Sequence, residues 1–143
     1  MDYILAKPSD GYALAELRTL AMEPSLSAIG RYDANTVRNR FLDTFEPSQT
    51  VKIMEHGTLV GFYVVRIRAD HHYLDHLYIQ PEHQNRGLGK AVIDRVVNTA
   101  QHCALPVRLG ALRESRSNQF YLNNGFVKTH EDEFDIYYEY STV

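Results

Sequence analysis

A short run of residues between two apolar segments has the composition of an anion-binding turn. Two glycines flank Leu88, where apolar residues first recur at helical spacing, and Arg86 and Lys90 bring positive charge to the same place. Glycine lets an anion approach the main chain, and the first N–H groups of a helix have no acceptor inside it. The helix dipole adds to this attraction. The sequence therefore predicts a pyrophosphate cradle formed by Gln84, Asn85, Arg86, Gly87, Leu88 and Gly89, with Lys90 beside it.

Two familiar phosphate-binding motifs do not fit this turn. A Rossmann dinucleotide fingerprint would need a third glycine where Val92 stands and an acidic residue near Val107, and neither is present. A nucleotide-triphosphate P-loop would need Ser or Thr after Lys90, whereas the next residue is Ala91. On the turn alone, a loop whose glycines simply let a helix pack on a sheet remains an open alternative.

A longer pattern connects this turn to a known protein family. The string over residues 77–89 resembles the acetyl-CoA motif of the GNAT superfamily of N-acetyltransferases, in which a Gln/Arg-x-x-Gly-x-Gly/Ala turn holds the pyrophosphate of coenzyme A. Its matching residues are Leu77, Ile79, Pro81, Gln84, Gly87 and Gly89. A downstream aromatic-Tyr-x-x-x-Gly-Phe string is similar to the second family signature. It consists of Phe120, Tyr121, Gly125 and Phe126. Both strings occur in the family's order and separation.

The resemblance implies a fold, a cosubstrate and an activity. The expected fold is a mixed α/β domain over residues 1–143, in which a mostly antiparallel sheet contains one splayed parallel strand pair and is flanked by helices. Acetyl-CoA is the expected cosubstrate, and a primary amine, more readily of a small molecule than of a protein, is the expected acceptor. In the family the pantetheine arm pairs with main-chain groups, here near Leu77, Tyr78 and Ile79. The Ile79 N–H is the expected oxyanion donor.

The resemblance also implies roles for individual side chains. Tyr121 matches the position whose hydroxyl lies near the sulfur of coenzyme A and acts as general acid. Asp75, four residues before Ile79, is the expected general base, although a chain of water molecules is an alternative. The family often has Asn six residues before the tyrosine; Ser115 stands there and Asn118 is near it, so we expect one of the two to contact the cofactor. The first two helices would border the acceptor, with Arg18, Met22, Arg31, Tyr32 and Asp33 as candidates.

The lack of a cysteine beside a base favours direct attack of the amine in a ternary complex over a covalent intermediate. Cys103 is the only cysteine and lies on the apolar side of a predicted helix, where we expect it to be buried. Two alternatives remain open: a coenzyme-A-binding sensor or partner module without catalysis, and an acyltransferase that uses a different acyl-CoA.

The overall composition is that of an ordinary globular protein. The chain has 143 residues, 44% of them hydrophobic and 23% charged, and a formal net charge of −3. This charge gives no electrostatic reason to expect nucleic acid or an anionic membrane as a partner. The first residues contain no basic segment followed by an apolar run, so a cytoplasmic location is expected. Four histidines, His71, His72, His76 and His83, lack familiar metal-ligand spacing and are expected at the surface without a metal.

The positions of apolar residues and turn formers predict seven strands and four helices. Strands are expected over residues 3–6, 50–55, 59–67, 73–79, 107–112, 126–129 and 134–140. Helices are expected from residue 9 or 10 up to a loop bracketed by Pro24 and Gly30, and over residues 34–45, 87–102 and 115–123. The helix over 87–102 makes the flanking strands a parallel pair, since a crossover helix returns the chain in the same direction. The aromatic last strand is a candidate for pairing across a homodimer.

Overall fold

Seven strands form one mixed sheet in the computed structural model, which describes residues 1–142. The strands are β1 (Asp2–Leu5), β2 (Thr50–Glu55), β3 (Thr58–Ile67), β4 (His72–Ile79), β5 (Val107–Leu112), β6 (Val127–Glu131) and β7 (Asp135–Tyr140). The helices are α1 (Gly11–Ala28), α2 (Ala34–Asp43), α3 (Leu88–His102) and α4 (Ser117–Asn123). The sheet order is β1-β2-β3-β4-β5-β7-β6. This is the predicted mixed α/β architecture.

The parallel strand pair is confirmed. β4 runs parallel to β5, with His72 opposite Val107 and Tyr73 opposite Arg108. The pairs β1–β2, β2–β3, β5–β7 and β6–β7 are antiparallel. The β2–β3 hairpin turns at His56 and Gly57, whose φ angles of 50° and 78° are both left-handed, as a two-residue turn of this kind requires.

The residues form two compact units, divided within β3, within β4 and at the start of α3. The first unit contains Met1–Val64 and His76–Leu88; the second contains Val65–Asp75 and the chain from Gly89 onward. The core of the first unit joins α1, α2 and β3 through Leu14, Leu17, Phe41, Phe62 and Val64. The Phe41 ring is central there, since its centroid lies 5.3 Å from that of Phe62 and 5.4 Å from that of His76. The single domain over residues 1–143 stays a prediction.

The second unit contains the apolar face of α3 that was predicted from helical spacing. Its buried residues are Val92, Ile93, Val96, Val97 and Ala100. In β5, buried residues alternate with partly or fully exposed ones, as expected for a strand with one well-covered face. After α4, Gly125 has a φ of 90°, and the Phe126 N–H donates to the Tyr121 carbonyl at 3.1 Å. The chain thus leaves α4 through a left-handed glycine, which is a common way for a helix to end.

The last strand does not have a free edge. β7 pairs with β5 on one side and with β6 on the other, so it has no edge left for pairing across a homodimer, and the homodimer itself stays a prediction. The sheet ends instead at β6, whose five residues are all exposed. The register between β6 and β7 shifts between Lys128 and His130, which marks a bulge in the edge strand.

Two other expectations were wrong. Helix α1 continues through Pro24 to Ala28, because burial of Leu26 beyond the proline offsets the hydrogen bond that proline cannot donate. Cys103 lies one residue past the end of α3 and is exposed, since the chain leaves the helix before its apolar face reaches that position. No helix within residues 1–142 is long and apolar enough to cross a membrane.

Candidate functional site

The end of β4 is fixed to the loop that follows it. The Gln84 side-chain amide donates to the Ile79 carbonyl at 3.0 Å, and the Gln80 N–H donates to the Val60 carbonyl at 2.8 Å. Between them, Pro81–His83 form a short 3₁₀ turn. The Gln84 side chain is therefore hydrogen-bonded to the main chain of β4, and this bond holds the start of the predicted cradle at a defined distance from the strand.

The cradle itself has left-handed backbone at two residues. Asn85 has a φ of 64° and Gly87 a φ of 79°, and α3 begins immediately afterwards at Leu88. A Cβ on Gly87 would meet nothing within 4 Å, so its φ rather than a lack of space accounts for glycine here. No main-chain acceptor within residues 1–142 pairs with the N–H groups of Gly87, Leu88 and Gly89. The turn thus presents consecutive, accessible donors, which fits a pyrophosphate.

Gly89 has a different role from Gly87. A Cβ on Gly89 would lie 3.0 Å from the Cζ atom of Phe120, closer than ordinary van der Waals contact. The first turn of α3 therefore packs against the ring of Phe120 in α4, and glycine provides the space. The two glycines of the motif fulfil separate requirements, one of backbone conformation and one of packing.

Both predicted cations have carboxylate partners. Arg86 donates to Glu55 at 2.7 Å, which raises the pKa of the guanidinium and lowers the pKa of the carboxyl, and it also contacts His83 at 2.9 Å. Lys90 donates to Asp94 at 3.1 Å, one helical turn further on. Both pairs are at the surface, where water and salt screen the attraction between the charges and such contacts contribute little to stability. A phosphate can therefore compete for either cation at little cost.

The side chain of Tyr78 faces the core of the first unit. Its hydroxyl lies 3.4 Å from Arg18 Nε, from Met22 Sδ and from His76 Nδ1, so two residues expected at the acceptor contact this tyrosine. A contribution of Tyr78 to cofactor binding therefore falls to its main chain. Asp33, another of those candidates, accepts a hydrogen bond from the Thr36 N–H at 3.0 Å and caps α2.

Sequence reasoning missed the importance of Gly61. A Cβ at this position would lie 2.6 Å from the Tyr78 carbonyl oxygen and 2.8 Å from Ile79 Cδ1. Glycine thus lets β3 approach the part of β4 from which main-chain cofactor contacts are expected. A glycine inside an otherwise apolar β-rich run was the available signal, since strands disfavour glycine unless a bulge or a close approach requires it.

Tyr121 lies on α4 inside an aromatic cluster of the second unit. The residue is 8% exposed, and its ring centroid is 5.6 Å from that of Phe126 and 6.2 Å from that of Tyr138. Its role as general acid stays a prediction. The cluster fixes the position of the tyrosine ring, and a general acid must be held within hydrogen-bond distance of the atom that it protonates.

Ser115 and Asn118, the two residues near Tyr121 that were expected to contact the cofactor, both form hydrogen bonds within the chain. Ser115 Oγ accepts from the Ser117 N–H at 3.1 Å and lies 2.7 Å from Ser117 Oγ, so it provides an acceptor for the first N–H of α4. The Asn118 amide donates to the carbonyls of Leu112 and Ser115 at 2.6 and 2.9 Å, and its oxygen accepts from Tyr138 at 2.8 Å. Their contact with the cofactor stays a prediction. These hydrogen bonds account for the positions of both side chains without a cofactor.

Asp75, the predicted base, forms an ion pair. Arg66 Nε donates to its Oδ2 at 3.1 Å, an interaction that the sequence analysis missed although an arginine in a long apolar strand was visible. Burial raises the pKa of the neighbouring Tyr73 hydroxyl, and the charge of Asp75 raises it further. The ion pair gives Asp75 a structural role in the second unit, and its role as a base stays a prediction.

The histidines are not all at the surface. His72 is 3% exposed and His76 is 9% exposed, because the alternation of β4 turns both toward a covered face. The expectation that they are surface residues was wrong. Burial lowers the pKa of His72. No group of three or more potential metal ligands occurs within the part of the chain that the structure describes.

A comparison with protein families identifies the class of protein that has this turn, helix and mixed sheet. A model of the acetyltransferase (GNAT) domain matches residues 27–136. The chain belongs to the GNAT family of acetyltransferases.

Solved acetyltransferase structures share this fold, two of them over nearly the whole chain and a third over part of it. The chain is similar to the PaiA N-acetyltransferase of Thermoplasma acidophilum in complex with coenzyme A, with a TM-score of 0.82, 19% identity and 98% of each chain covered. A GNAT-family acetyltransferase of Staphylococcus aureus Mu50 has a TM-score of 0.74 at 19% identity over 99% of each chain. A Bacillus anthracis acetyltransferase in complex with acetyl coenzyme A has a TM-score of 0.59 at 20% identity, covering 64% of this chain and 61% of its own.

At these identities the structural likeness shows the fold and not the acceptor. No curated protein sequence matches this chain significantly.

Proposed function

We propose that this chain, acting as one domain, transfers an acetyl group from acetyl-CoA to a primary amine of a small molecule by direct attack in a ternary complex. One observation carries the proposal: the left-handed turn at Asn85 and Gly87 that presents the first N–H groups of α3. Coenzyme A in the Thermoplasma protein and acetyl-CoA in the Bacillus protein support the choice of cosubstrate.

The N–H groups of the cradle, Gly87 to Gly89, would bind the pyrophosphate, and Arg86 and Lys90 would exchange surface carboxylates for phosphate oxygens. The main chain of Leu77, Tyr78 and Ile79 would bind the pantetheine amides, much as an added strand segment pairs with the main chain of a sheet. Acetyl-CoA supplies a thioester, whose carbonyl carbon accepts the amine.

The protein's contribution to the reaction is positional and acid–base. As the C–N bond forms and the C–S bond breaks, the Ile79 N–H would stabilise the carbonyl oxygen, and Tyr121 would donate its proton to the departing sulfur. The proton lost by the amine would pass to Asp75, or through water. Holding the amine and the thioester together supplies much of the remaining rate.

The cofactor part of the proposal is tested by calorimetric titration with acetyl-CoA and desulfo-CoA. We expect both to bind the wild type and Gly87→Glu to weaken binding at least tenfold, since a carboxylate would lie beside the pyrophosphate. Gly87→Gln has the same backbone strain without the charge and should weaken binding less. Gly57→Glu is a matched control, because Gly57 has a φ of 78° and also has nothing within 4 Å of its would-be Cβ.

The control separates charge at the cradle from strain elsewhere. Equal losses in the Gly87→Glu and Gly57→Glu variants would show that strain, and not the anion site, is responsible. Absence of acetyl-CoA binding to the wild type would contradict the assignment of the cradle.

The catalytic part is tested by thiol release with a panel of amines. We expect Tyr121→Phe to lower kcat about 100-fold with little change in acetyl-CoA affinity, since general acid catalysis contributes factors of about 10²–10⁴. A Cys103→Ser background removes the exposed protein thiol from the readout. Binding of acetyl-CoA without turnover of any amine would favour the non-catalytic module, and wild-type activity of Tyr121→Phe would exclude the tyrosine as the acid.

A further inference from the structure

We propose that Tyr138 and Asn118 form a hydrogen-bonded positioning pair that holds Tyr121 in place for the reaction. The inference rests on the proposed role of Tyr121 as general acid. It assigns to Asn118 a role through another residue instead of a contact with the cofactor, and it adds Tyr138, which the sequence did not single out.

Helix α4 needs such an anchor because it is only seven residues long. A helix of two turns is unstable by itself, so its place depends on contacts with the rest of the unit. At its C-terminal end, the Tyr121 carbonyl accepts hydrogen bonds from the Asn124 and Phe126 N–H groups, both at 3.1 Å. These bonds fix how the helix ends but not how it lies on β5 and β7.

The Asn118 side chain provides that second attachment. Its amide nitrogen donates at 2.6 Å to the Leu112 carbonyl at the end of β5 and at 2.9 Å to the Ser115 carbonyl before the helix. Its oxygen accepts from the Tyr138 hydroxyl at 2.8 Å. The short amide thus connects α4 to β5 and to β7 at once, and its two N–H groups and its oxygen are engaged.

Tyr138 is the rigid end of this connection. It is 3% exposed and lies in the middle of β7, opposite Leu109 in β5 and Lys128 in β6. Burial raises the pKa of its hydroxyl above the ordinary tyrosine value. The Tyr138 ring also neighbours the Tyr121 ring, at a centroid distance of 6.2 Å. One residue thus contacts the proposed acid directly and holds its helix through Asn118.

Asn118 and Tyr121 are three residues apart, so they lie on the same side of α4. A shift of the helix at Asn118 is therefore transmitted to Tyr121. Without the Tyr138 hydroxyl, the Asn118 oxygen loses its donor in a partly buried setting, and the helix can slide or rotate to recover one. Displacement of a catalytic group by about 1 Å can lower a rate by about 10²-fold.

The test is Tyr138→Phe, which removes one oxygen atom and leaves the aromatic packing in place. We expect kcat for amine acetylation to fall about tenfold while the KM for acetyl-CoA stays within about twofold, because the cradle is not altered. Tyr137→Phe is the matched control on the adjacent residue, since it removes a hydroxyl that donates to Asp132 at 2.7 Å. Its kcat should equal that of the wild type. Thermal unfolding of each variant shows whether it is folded at the assay temperature.

A double-mutant cycle distinguishes positioning from a general structural effect. If Tyr138 acts through Tyr121, then Tyr138→Phe should have no further effect on kcat in a Tyr121→Phe background. An equal loss of kcat in both backgrounds, or no loss in the wild-type background, would overturn the positioning pair while leaving the acid intact. Unchanged activity of Tyr121→Phe alone would instead overturn the acid, and the pair with it.

Discussion

The separate requirements of the two motif glycines lead to a prediction about Gly89→Ala. A Cβ at this position would lie 3.0 Å from Phe120 Cζ and 3.3 Å from Cε1. The substitution therefore has two opposing effects. Alanine favours the helix by up to about 1 kcal/mol relative to glycine. Crowding against the ring costs about 1–3 kcal/mol, as for other overpacked contacts.

The net effect follows from the position of the ring. Phe120 is partly buried, and its Cζ atom is the far end of the side chain, so the ring can move enough to relieve part of the overlap. We therefore take the crowding cost to be near the middle of the range of about 1–3 kcal/mol. We expect Gly89→Ala to lower the free energy of unfolding by about 1 kcal/mol. For a chain of this size that corresponds to a fall in Tm of about 4 °C.

Phe120→Leu supplies the test, because it removes the ring atoms that the new methyl group meets. In that background Gly89→Ala should stabilise the protein by about 0.5 kcal/mol, so the coupling free energy is about 1.5 kcal/mol. Urea unfolding of the wild type, both single variants and the double variant measures it. The same destabilisation by Gly89→Ala in both backgrounds would refute the packing role of Gly89.

Two further predictions concern the second unit. Asp132 accepts hydrogen bonds from the Asp135 N–H, the Tyr137 hydroxyl and the Phe134 N–H, which lower its pKa below the ordinary value of 3.8. The stability that Asp132 contributes is therefore fully present above pH 3.8. It is lost as the pH falls through the lower pKa of the folded state. Asp132→Asn should therefore flatten the acid-unfolding curve below pH 4, and an unchanged curve would contradict this account. Cys103 is exposed and should react with Ellman's reagent in the native protein as fast as in urea, whereas slow native reaction would show that it is covered.

Local pattern was enough to predict most of the fold. The strand runs over 50–55 and 59–67 and the helical run over 87–102 each depend on residues close in sequence, and the structure has β2, β3 and α3 within one or two residues of these bounds. Pro24 could not be interpreted correctly, because the burial of Leu26 that keeps α1 helical is a tertiary effect.

The candidate site could be predicted only in part. The motif identified the turn and Tyr121, because these strings have characteristic spacings. It could not show that Gly89 meets Phe120, that Arg66 pairs with Asp75, or that Asn118 connects to Tyr138 over 20 residues of sequence. Each of these contacts joins residues that no short-range sequence pattern connects. For the same reason, a glycine needed for packing and a glycine needed for anion binding cannot be distinguished from the sequence alone.

The edge strand β6 has a consequence for how this protein behaves at high concentration. A flat, apolar strand at the end of a sheet would invite another chain to add to it and so seed aggregation. β6 instead has charged Lys128 and Glu131, which pair with each other, and a bulge between Lys128 and His130 that interrupts the ladder of hydrogen bonds. A strand from a second molecule would find an irregular, solvated edge, so this end of the sheet is protected against self-association into fibres.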